Sequence, residues 1–473
     1  MFTITLDQDG RFPLYRQIMQ QIQAQVLRGE LAPGSRLPSS RQLAKEAGVA
    51  RITVTQAYEQ LLAEGYLVSR PGAGVYVAPD LPLLTEERPF TPPLTAWGER
   101  VLAVTPSRSA TTTHLAIDFG IGRSFAQIFP YDVWRRLLAR YLSTDDAMLS
   151  RYGSVAGFLP LRQALADYLA QYRGINCTAK QLVIVSGAQQ VLDILTRLLL
   201  KPGDEVLVET PGYTVAYNLF RAYGAQLTAL PVDDDGLPVE KIPANNQARL
   251  AFITPIHQFP RGGTMSLSRR FQLLQWAQQR DGLIIEDDYD GDLRYNGRSQ
   301  FALQGLDKEG RVVYLGTFSK VLFPALRLAY VVLPPVLVAP FVQAKALIDR
   351  GSPTLTQAAI ADFITEGHFK RHLGQLRQVY GQRRQALVAA ITRFLPSDVH
   401  YAHLAAGLHV MLYLPKHCEE TAVVQAAATV DVGVYPGAPY HLENPAPPSI
   451  LLGFSGLSEA EIEEGVRRLA EVL

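Results

Sequence analysis

The stretch "GTFSKVLFPALRLAY", residues 316–330, decides how this chain folds and which chemistry it can carry. It completes a run of aliphatic and β-branched residues that is typical of a buried strand. Lys320 follows that strand, and Arg327 comes seven residues later. A lysine whose pKa is lowered can form a Schiff base with an aldehyde, and an arginine beside hydroxyls such as that of Thr317 suits a phosphate dianion. Because a single lysine is most often a surface residue, the prediction depends on the neighbouring motifs.

A second polar stretch, "VSGAQQ" at residues 185–190, also follows a β-rich run and leads into a helix. The first backbone N–H groups of a helix have no partner inside it. Those of Gly187 and Ala188, with the hydroxyl of Ser186, would therefore be available to an anion. The stretch is equally consistent with an ordinary turn from strand to helix, so both interpretations stay open here.

A third stretch, "IIEDDYD" at residues 284–290, ends a buried strand in acidic residues. Asp287 could pair with a protonated ring nitrogen, and Tyr289 could reach a ring hydroxyl. A carboxylate that keeps a pyridinium protonated is what makes pyridoxal phosphate an electron sink. The alternative for a single acidic run is a solvated loop.

The three stretches belong to one longer pattern, because residues 116–473 alternate β-rich runs with amphipathic helices. The β-rich runs are "QLVIVSG", "DEVLVETPGY", "LAFITP", "GLIIEDDYD", "RVVYLGTFSK" and "LAYVVLP". This alternation predicts an α/β domain with a mostly parallel sheet and helices on both faces. Ligands of such sheets bind at the carboxyl ends of strands, where all three polar stretches lie.

Residues 1–78 predict a separate, small DNA-binding domain. One helix carries an apolar stripe, a short helix runs from the N-cap Ser39 to Gly48, and a third helix, "RITVTQAYEQLLAEG", follows closely. The stripe of the first helix is Ile18, Ile22 and Val26, and that of the third is Val54, Tyr58 and Leu61. "YLVSRPGAGVYVA" is typical of a hairpin, so the plan is that of a winged helix-turn-helix.

Composition restricts the location and partners of the chain. Residues 79–115 are rich in proline, serine and threonine, which predicts a partly extended linker. The 45 Lys and Arg against 44 Asp and Glu mean that any DNA-binding surface is local.

Cys177 and Cys418 have no metal-binding spacing, so we expect neither a metal site nor a disulfide. With no signal peptide and no apolar run of about 18 residues, we expect a cytoplasmic protein, on the nucleoid when bound to DNA.

The motifs together resemble a known family. From about residue 116 the chain resembles the fold-type I aminotransferases, which bind pyridoxal phosphate and have a smaller C-terminal α+β subdomain. "PGYT" at 211–214 matches the position of a cofactor-stacking tyrosine, and "RYGSVAGFLPLRQALADYL" contains a tyrosine that reaches the phosphate across a dimer interface. Residues 11–78 resemble the winged helix of the GntR family. The combination is similar to the MocR-type transcriptional regulators.

This resemblance implies a role for each matching residue. Lys320 would form the internal aldimine with pyridoxal phosphate, Asp287 would bind the pyridine nitrogen, Tyr289 the ring oxygen, and Tyr213 would stack on the ring. The implied phosphate ligands are Ser186, Gly187, Ala188, Thr317 and Arg327, with Tyr152 from the second subunit of a homodimer. His257 and Gln258 lie in the loop "TPIHQFPRGG", residues 254–263. The resemblance leaves their roles open, because aminotransferases carry an asparagine on this loop.

The chain departs from the family where aminotransferases bind the substrate carboxylate. In "LLGFSGL", Gly456 stands where the family has an arginine, and Val215 stands where the relative that senses γ-aminobutyrate has a basic residue. Loss of such a pair costs about 3–5 kcal/mol of binding. Amino-acid binding should therefore be weak unless another arginine, Arg123 or Arg261, enters the site.

The resemblance also places DNA contacts on the small domain. These are Arg41, Arg51, Thr53, Thr55 and Arg70. Arg51 begins the third helix, whose first residues should face base edges, whereas Arg41 and Arg70 should contact phosphates. Residues 1–78 contain eight Lys or Arg against six Asp or Glu, a small excess that gives weak support.

Three functions follow as hypotheses. The first is a transcription regulator whose large domain senses pyridoxal phosphate itself, as in regulators of vitamin B6 synthesis. The second is a sensor of an amino acid or amine that forms an external aldimine with the cofactor. The third is a working aminotransferase with a DNA-binding appendage. The residues that residual aminotransferase chemistry would need, Lys320, Asp287 and Tyr289, are all present.

Overall fold

The computed structural model describes residues 4–8, 10–81, 92–104, 115–122, 126–142, 150–295, 300–442 and 445–473. The chain divides into two compact units, Met1–Pro93 and Leu94–Leu473. Among the described residues, no helix is both long and apolar enough to cross a membrane.

The first unit contains three helices and a hairpin. They are α1 (Leu14–Leu27), α2 (Ser40–Ala47), α3 (Arg51–Ala63), β1 (Leu67–Arg70) and β2 (Gly74–Val77). The predicted apolar stripes of α1 and α3 are buried in one core. Ser39 caps α2 by accepting a hydrogen bond from the Gln42 amide at 3.2 Å, and Gly48 ends the helix at a φ of 66°. The winged helix-turn-helix prediction is confirmed.

The second unit contains the remaining elements in an alternating order. Its helices are α4 (Ala96–Ala103), α5 (Tyr131–Leu142), α6 (Leu159–Arg173), α7 (Ala188–Leu199), α8 (Thr214–Tyr223), α9 (Leu267–Gln279), α10 (Pro335–Ile348), α11 (Thr354–Thr365), α12 (His368–Phe394), α13 (Glu420–Thr429) and α14 (Glu459–Ala470). Its strands are β3 (Ile117–Asp118), β4 (Leu182–Val185), β5 (Glu205–Thr210), β6 (Gln226–Pro231), β7 (Leu250–Ile253), β8 (Leu283–Asp288), β9 (Val312–Thr317), β10 (Ala329–Val332), β11 (His400–Tyr401), β12 (His409–Tyr413), β13 (Val432–Gly433), β14 (Tyr435–Pro436) and β15 (Ser449–Gly453).

Seven strands form the central sheet in the order β4-β10-β9-β8-β7-β5-β6. All neighbours are parallel except β10, which is antiparallel to both β4 and β9. Side chains alternate along β4: Val183 packs with Leu195 of α7, whereas Ile184 packs with Leu165 of α6. Helices therefore cover both faces, as the sequence predicts. The edge strand β6, which is largely half-buried, is missing from the sequence prediction.

A smaller domain follows the long helix α12. It is built on the antiparallel sheet β11-β12-β15-β14, with α13 and α14 beside it and the parallel pair β3–β13. Its core is continuous with the C-terminal half of α12 through Leu387 and Ile391. This is the α+β subdomain that the family resemblance implies.

The helix α4 lies within the segment that the sequence predicts to be a linker. It packs on α8, where Trp97 lies 6.2 Å from Tyr223 between ring centroids. Arg100 donates hydrogen bonds to the carbonyls of Ala222 at 2.8 Å and Tyr223 at 3.4 Å, which are among the last carbonyls of α8. The second unit thus begins within that segment, of which residues 82–91 and 105–114 lie outside the described residues.

Candidate functional site

Strand direction brings the predicted site residues to one edge of the central sheet. Ala329, at the start of the antiparallel strand β10, pairs with both Thr317 at the end of β9 and Val185 at the end of β4. Arg327, just before β10, therefore lies at the same edge as the turn after β4. Because β5, β7, β8 and β9 are parallel, the residues that follow them also gather there.

Lys320 lies in the turn that follows β9. Burial lowers the pKa of its amine, while the nearby carboxylates of Asp290 and Asp287 oppose that shift. The main chain approaches the amine closely at Gly122, where a Cβ atom would lie 3.0 Å from Nζ. This environment favours a neutral, nucleophilic amine.

Asp287 is the last residue but one of β8, and it is buried, with 6% of its surface exposed. Burial raises its pKa to about 8, the neighbouring Asp288 and Asp290 add to the shift, and Lys320 opposes it. Among the described residues, no hydrogen-bond partner is found for this carboxyl. Such a group has the capacity to pair with a cationic ring nitrogen.

The turn from β4 into α7 is shaped for an anion. Gly187 adopts a φ of 144°, and a Cβ atom there would lie 3.0 Å from the Nη2 atom of Arg327. Arg327 itself has a φ of 50°, and its guanidinium has no ion-pair partner in the described part of the chain. The N–H groups of Gly187 and Ala188 also have no acceptor there. The hydroxyl of Thr317, at the end of β9, accepts a hydrogen bond from the Ser319 amide at 3.1 Å.

Rings from five parts of the chain lie at this edge of the sheet. Tyr213, the N-cap of α8, lies 5.9 Å from Phe259 in an edge-to-face arrangement. Phe259 also contacts Tyr289 at 5.6 Å, His409 at 5.2 Å and Tyr440 at 5.4 Å. Burial, followed by the charge of Asp287, raises the pKa of Tyr213 to about 12. These rings form an aromatic cluster around the site.

A histidine–carboxylate pair lies next to Tyr289. His257 Nδ1 is 2.9 Å from Asp290 and 2.8 Å from the Tyr289 hydroxyl. Burial and the proximity of His257 lower the pKa of His409 to about 4, so this ring is neutral and donates from Nε2 to the Pro260 carbonyl at 3.2 Å. His257 therefore connects Tyr289 to Asp290.

Several residues at this edge were missed by sequence reasoning. Asp290, Phe259, His409 and Tyr440 belong to four separate segments, so no local pattern connects them. Glu209 is buried on β5, where it accepts hydrogen bonds from the amide and hydroxyl of Thr254, and burial raises its pKa to about 7. Among these residues, only Asp290 lies in one of the three polar stretches that the sequence analysis singled out, the acidic run at residues 284–290.

The structure also describes the positions that the sequence analysis considered for binding a ligand carboxylate. Gly456 lies exposed in the turn after β15, where the preceding carbonyl of Ser455 accepts from the buried Arg383. Arg261 forms an ion pair with Asp234 at 2.7 Å, so it would have to break that pair to act on a ligand. Val215 contributes a carbonyl to Gln189 at 3.3 Å. Arg123 lies outside the described residues.

Tyr152 is not among the residues that gather around Lys320. It is 87% exposed, and the Arg350 guanidinium lies 5.3 Å from its ring centroid. An open cleft of about 310 Å³ borders it, with Gly153, Phe158 and Thr354 in its walls.

The predicted DNA-contacting residues lie on the surface of the first unit. Arg51 begins α3 and donates to the Ser40 hydroxyl at 3.3 Å, so it ties α3 to the start of α2. Thr53 and Thr55 are half-buried, and Arg41 is exposed on α2. Arg70 closes β1 and stacks 4.6 Å over the ring of Tyr76, which holds it on the hairpin.

Fold and site define a class of protein: a GntR-type DNA-binding domain joined to a fold-type I aminotransferase domain. Residues 14–77 match the model of the bacterial regulatory proteins of the gntR family, and residues 116–469 match aminotransferase class I and II. The chain is 37% identical to the "Probable rhizopine catabolism regulatory protein MocR" of Rhizobium meliloti, covering 98% of this chain and 95% of that protein. The chain belongs to the MocR-type transcriptional regulators, in which the two domains occur together.

Two further comparisons describe the large domain and its relatives. The chain is 31% identical to the pyridoxine biosynthesis transcriptional regulator PdxR of Corynebacterium glutamicum over 95% of both chains. The crystal structure of Pyrococcus horikoshii kynurenine aminotransferase, solved in complex with PMP, is similar with a TM-score of 0.72 and 31% identity; the match covers 76% of this chain and 91% of that one. The large domain thus has the fold of the pyridoxal-phosphate-dependent aminotransferases.

Proposed function

We propose that this protein is a pyridoxal-phosphate sensor that controls DNA binding, with vitamin B6 metabolism as its candidate target. The observation that carries the proposal is the buried carboxyl of Asp287, which has no hydrogen-bond partner in the described part of the chain and lies at the same sheet edge as the Lys320 amine. An aminotransferase would also need an anchor for the substrate carboxylate, and Gly456 stands at that position.

The donor set fits pyridoxal phosphate. Asp287 would hold the proton of the pyridine nitrogen, Lys320 would hold the aldehyde carbon, and Tyr213 would lie against the ring. Tyr289, connected to Asp290 through His257, would face the ring oxygen. When bound, the cofactor supplies an electron-withdrawing ring and a carbonyl carbon that reacts with amines.

The phosphate would lie at the start of α7. The N–H groups of Gly187 and Ala188 and the positive end of the helix would bind its oxygens. The hydroxyls of Ser186 and Thr317 would add two donors, and the Arg327 guanidinium would complete the charge balance. Tyr152 of the second subunit would contribute its hydroxyl from outside.

The proposed protein is a homodimer that binds operator DNA in the cytoplasm, on the nucleoid. Its DNA-binding unit would be residues 1–78, with 79–115 as the connection and 116–473 as the effector domain. Arg51, Thr53 and Thr55 would face base edges, and Arg41 and Arg70 would contact phosphates. A ligand changes DNA affinity only if it binds the DNA-competent and incompetent forms unequally.

The test is a titration of cofactor-free protein with pyridoxal phosphate while binding to its promoter DNA is measured. We expect DNA affinity to change at least about tenfold, a coupling of about 1.4 kcal/mol. The change should disappear in Lys320→Ala, and an unaltered melting temperature and unaltered DNA binding without cofactor would show that the variant is folded.

Two other results would replace the proposal. Unchanged DNA binding in protein that has taken up the cofactor would make the cofactor a fixed part of the site. A further response to an amino acid or amine would then identify a second ligand as the signal. Sustained turnover of an amino-acid and keto-acid pair would identify an aminotransferase instead.

A further inference from the structure

A fully buried lysine lies on α10, away from the site residues predicted from the sequence. The side chain of Lys345 is 0% exposed, and its Nζ atom lies 2.9 Å from both carboxylate oxygens of Asp349. Removing an ammonium group from water costs several kcal/mol, which one ion pair rarely offsets. Apolar residues of similar size would usually stabilise the fold as well, so the pair invites an explanation beyond stability.

Asp349 has two further hydrogen-bond donors. Its carboxylate accepts from the Gln190 side chain at 2.8 Å and from the Gly351 amide at 2.9 Å. Burial alone would raise the pKa of Asp349, but hydrogen bonds from Gln190 and Lys345 lower it. The carboxylate is therefore charged at neutral pH and is a strong, fixed acceptor.

Gln190 connects this carboxylate to the turn before α7. Its side-chain oxygen accepts from the backbone N–H of Ser186 at 2.9 Å, while its nitrogen donates to Asp349. Asp349 accepts only, so it also determines which end of the amide faces Ser186. The chain of contacts from Lys345 thus ends on the backbone of the turn that contains Gly187.

We propose that Lys345 and Asp349 are positioning residues for the phosphate-binding turn and act through Gln190. By holding the Ser186 N–H inside the protein, they keep the turn in one conformation, with the N–H groups of Gly187 and Ala188 available to a phosphate. Without this anchor, the turn would have to be ordered on binding, which lowers affinity. The inference rests on the proposed binding of pyridoxal phosphate.

The test compares two ligands that differ only in the phosphate. Dissociation constants for pyridoxal phosphate and for pyridoxal are measured with Gln190→Met and with the double variant Lys345→Met/Asp349→Leu, which removes both charges and leaves neither unpaired. We expect about tenfold weaker binding of pyridoxal phosphate in both variants, as for one lost anchoring hydrogen bond, with unchanged binding of pyridoxal.

A matched control, Asp193, lies on α7, the helix that also carries Gln190. Asp193→Ala removes the contacts of Asp193 with Tyr223 and Arg197 but touches no part of the turn, so it should bind both ligands like the wild type. Equal losses for both ligands, or no loss in folded Gln190→Met, would overturn the inference. If the wild type itself binds no pyridoxal phosphate, the proposed function fails instead.

Discussion

Lys320 and Asp287 have pKa values that shift in opposite directions for one physical reason. Burial disfavours a charge on either group, so the pKa of the amine falls and that of the carboxyl rises to about 8. Both groups therefore move toward their neutral forms in the free protein. A neutral amine is the form that attacks an aldehyde, and a protonated acid can share its proton with a ring nitrogen.

The raised pKa of Asp287 predicts a pH dependence of stability. Between the ordinary aspartate pKa of about 4 and the folded value of about 8, the folded state holds a proton that the unfolded chain releases. The free energy of unfolding of cofactor-free protein should thus decrease with rising pH, by on the order of 1 kcal/mol per pH unit for this group.

Asp287→Asn removes that contribution and tests it. Melting temperatures of both cofactor-free proteins are measured from about pH 5 to about pH 8, and we expect the variant to lose less stability over this range. Glu209 and Glu286, whose pKa values burial raises to about 7, are present in both proteins, so the stability of both proteins decreases with rising pH, and the difference between the curves reports the loss of Asp287. Parallel curves would contradict the prediction.

Gly187 is required both for its backbone conformation and for the space in front of Arg327. Gly187→Ala should weaken binding of pyridoxal phosphate at least about tenfold, because the methyl group would displace the guanidinium or the turn. Gly203→Ala is the matched control: its φ of 94° imposes similar strain, but no atom lies within 4 Å of the added Cβ. Titration of both variants should show the loss in Gly187→Ala alone.

At the scale of elements, α8 has contacts of different kinds at its two ends. Its N-cap is Tyr213 in the aromatic cluster, and its last carbonyls accept hydrogen bonds from Arg100 of α4. The helix thus joins the candidate cofactor site to α4, the first helix of the second unit. A rigid helix is able to transmit a displacement between two such sites when both have two arrangements.

Loss of the Arg100 contacts should release α4 from α8. In Arg100→Ala, we expect amide hydrogen exchange of residues 96–103 to become about tenfold faster, because one or two hydrogen bonds to a charged donor are lost. The affinity for pyridoxal phosphate should stay unchanged. Glu99→Gln, a change at an exposed neighbour, serves as the control. Unchanged exchange in Arg100→Ala would mean that Trp97 alone holds the helix.

At the scale of the whole molecule, the proposed dimer makes a prediction that a monomer does not. Tyr152 is 87% exposed, which suits a residue that completes the site of a second subunit. Tyr152→Ala alone should weaken binding of pyridoxal phosphate in both sites, and Lys320→Ala should abolish its attachment in both. A mixed dimer of the two variants should regain one site with wild-type affinity, because one site combines the intact Lys320 with the intact tyrosine.

Co-expression with two affinity tags isolates the mixed dimer, and cofactor titration counts its tight sites. One tight site per dimer supports sharing across the interface. A mixed dimer with no tight site would place Tyr152 at the site of its own subunit.

Elements that depend on local periodicity could be predicted from the order of residues alone. The buried stripes of α1 and α3, the six predicted strands and the position of Lys320 after β9 follow from the order of apolar and polar residues within a few positions. Side-chain burial repeats with the period of the element, so one segment contains the whole signal. The half-buried edge strand β6 was missed because that signal is weak there.

Contacts between groups that are distant in sequence became visible in the folded chain. The antiparallel direction of β10 brings Arg327 to the turn after β4, and Gln190 joins that turn to Asp349, which lies 159 residues later in the sequence. The aromatic cluster around Phe259 likewise draws on segments more than a hundred residues apart. Such contacts depend on strand pairing and on the packing of whole elements. The periodicity of a short stretch of sequence does not report either of these, because the two partners lie in different segments.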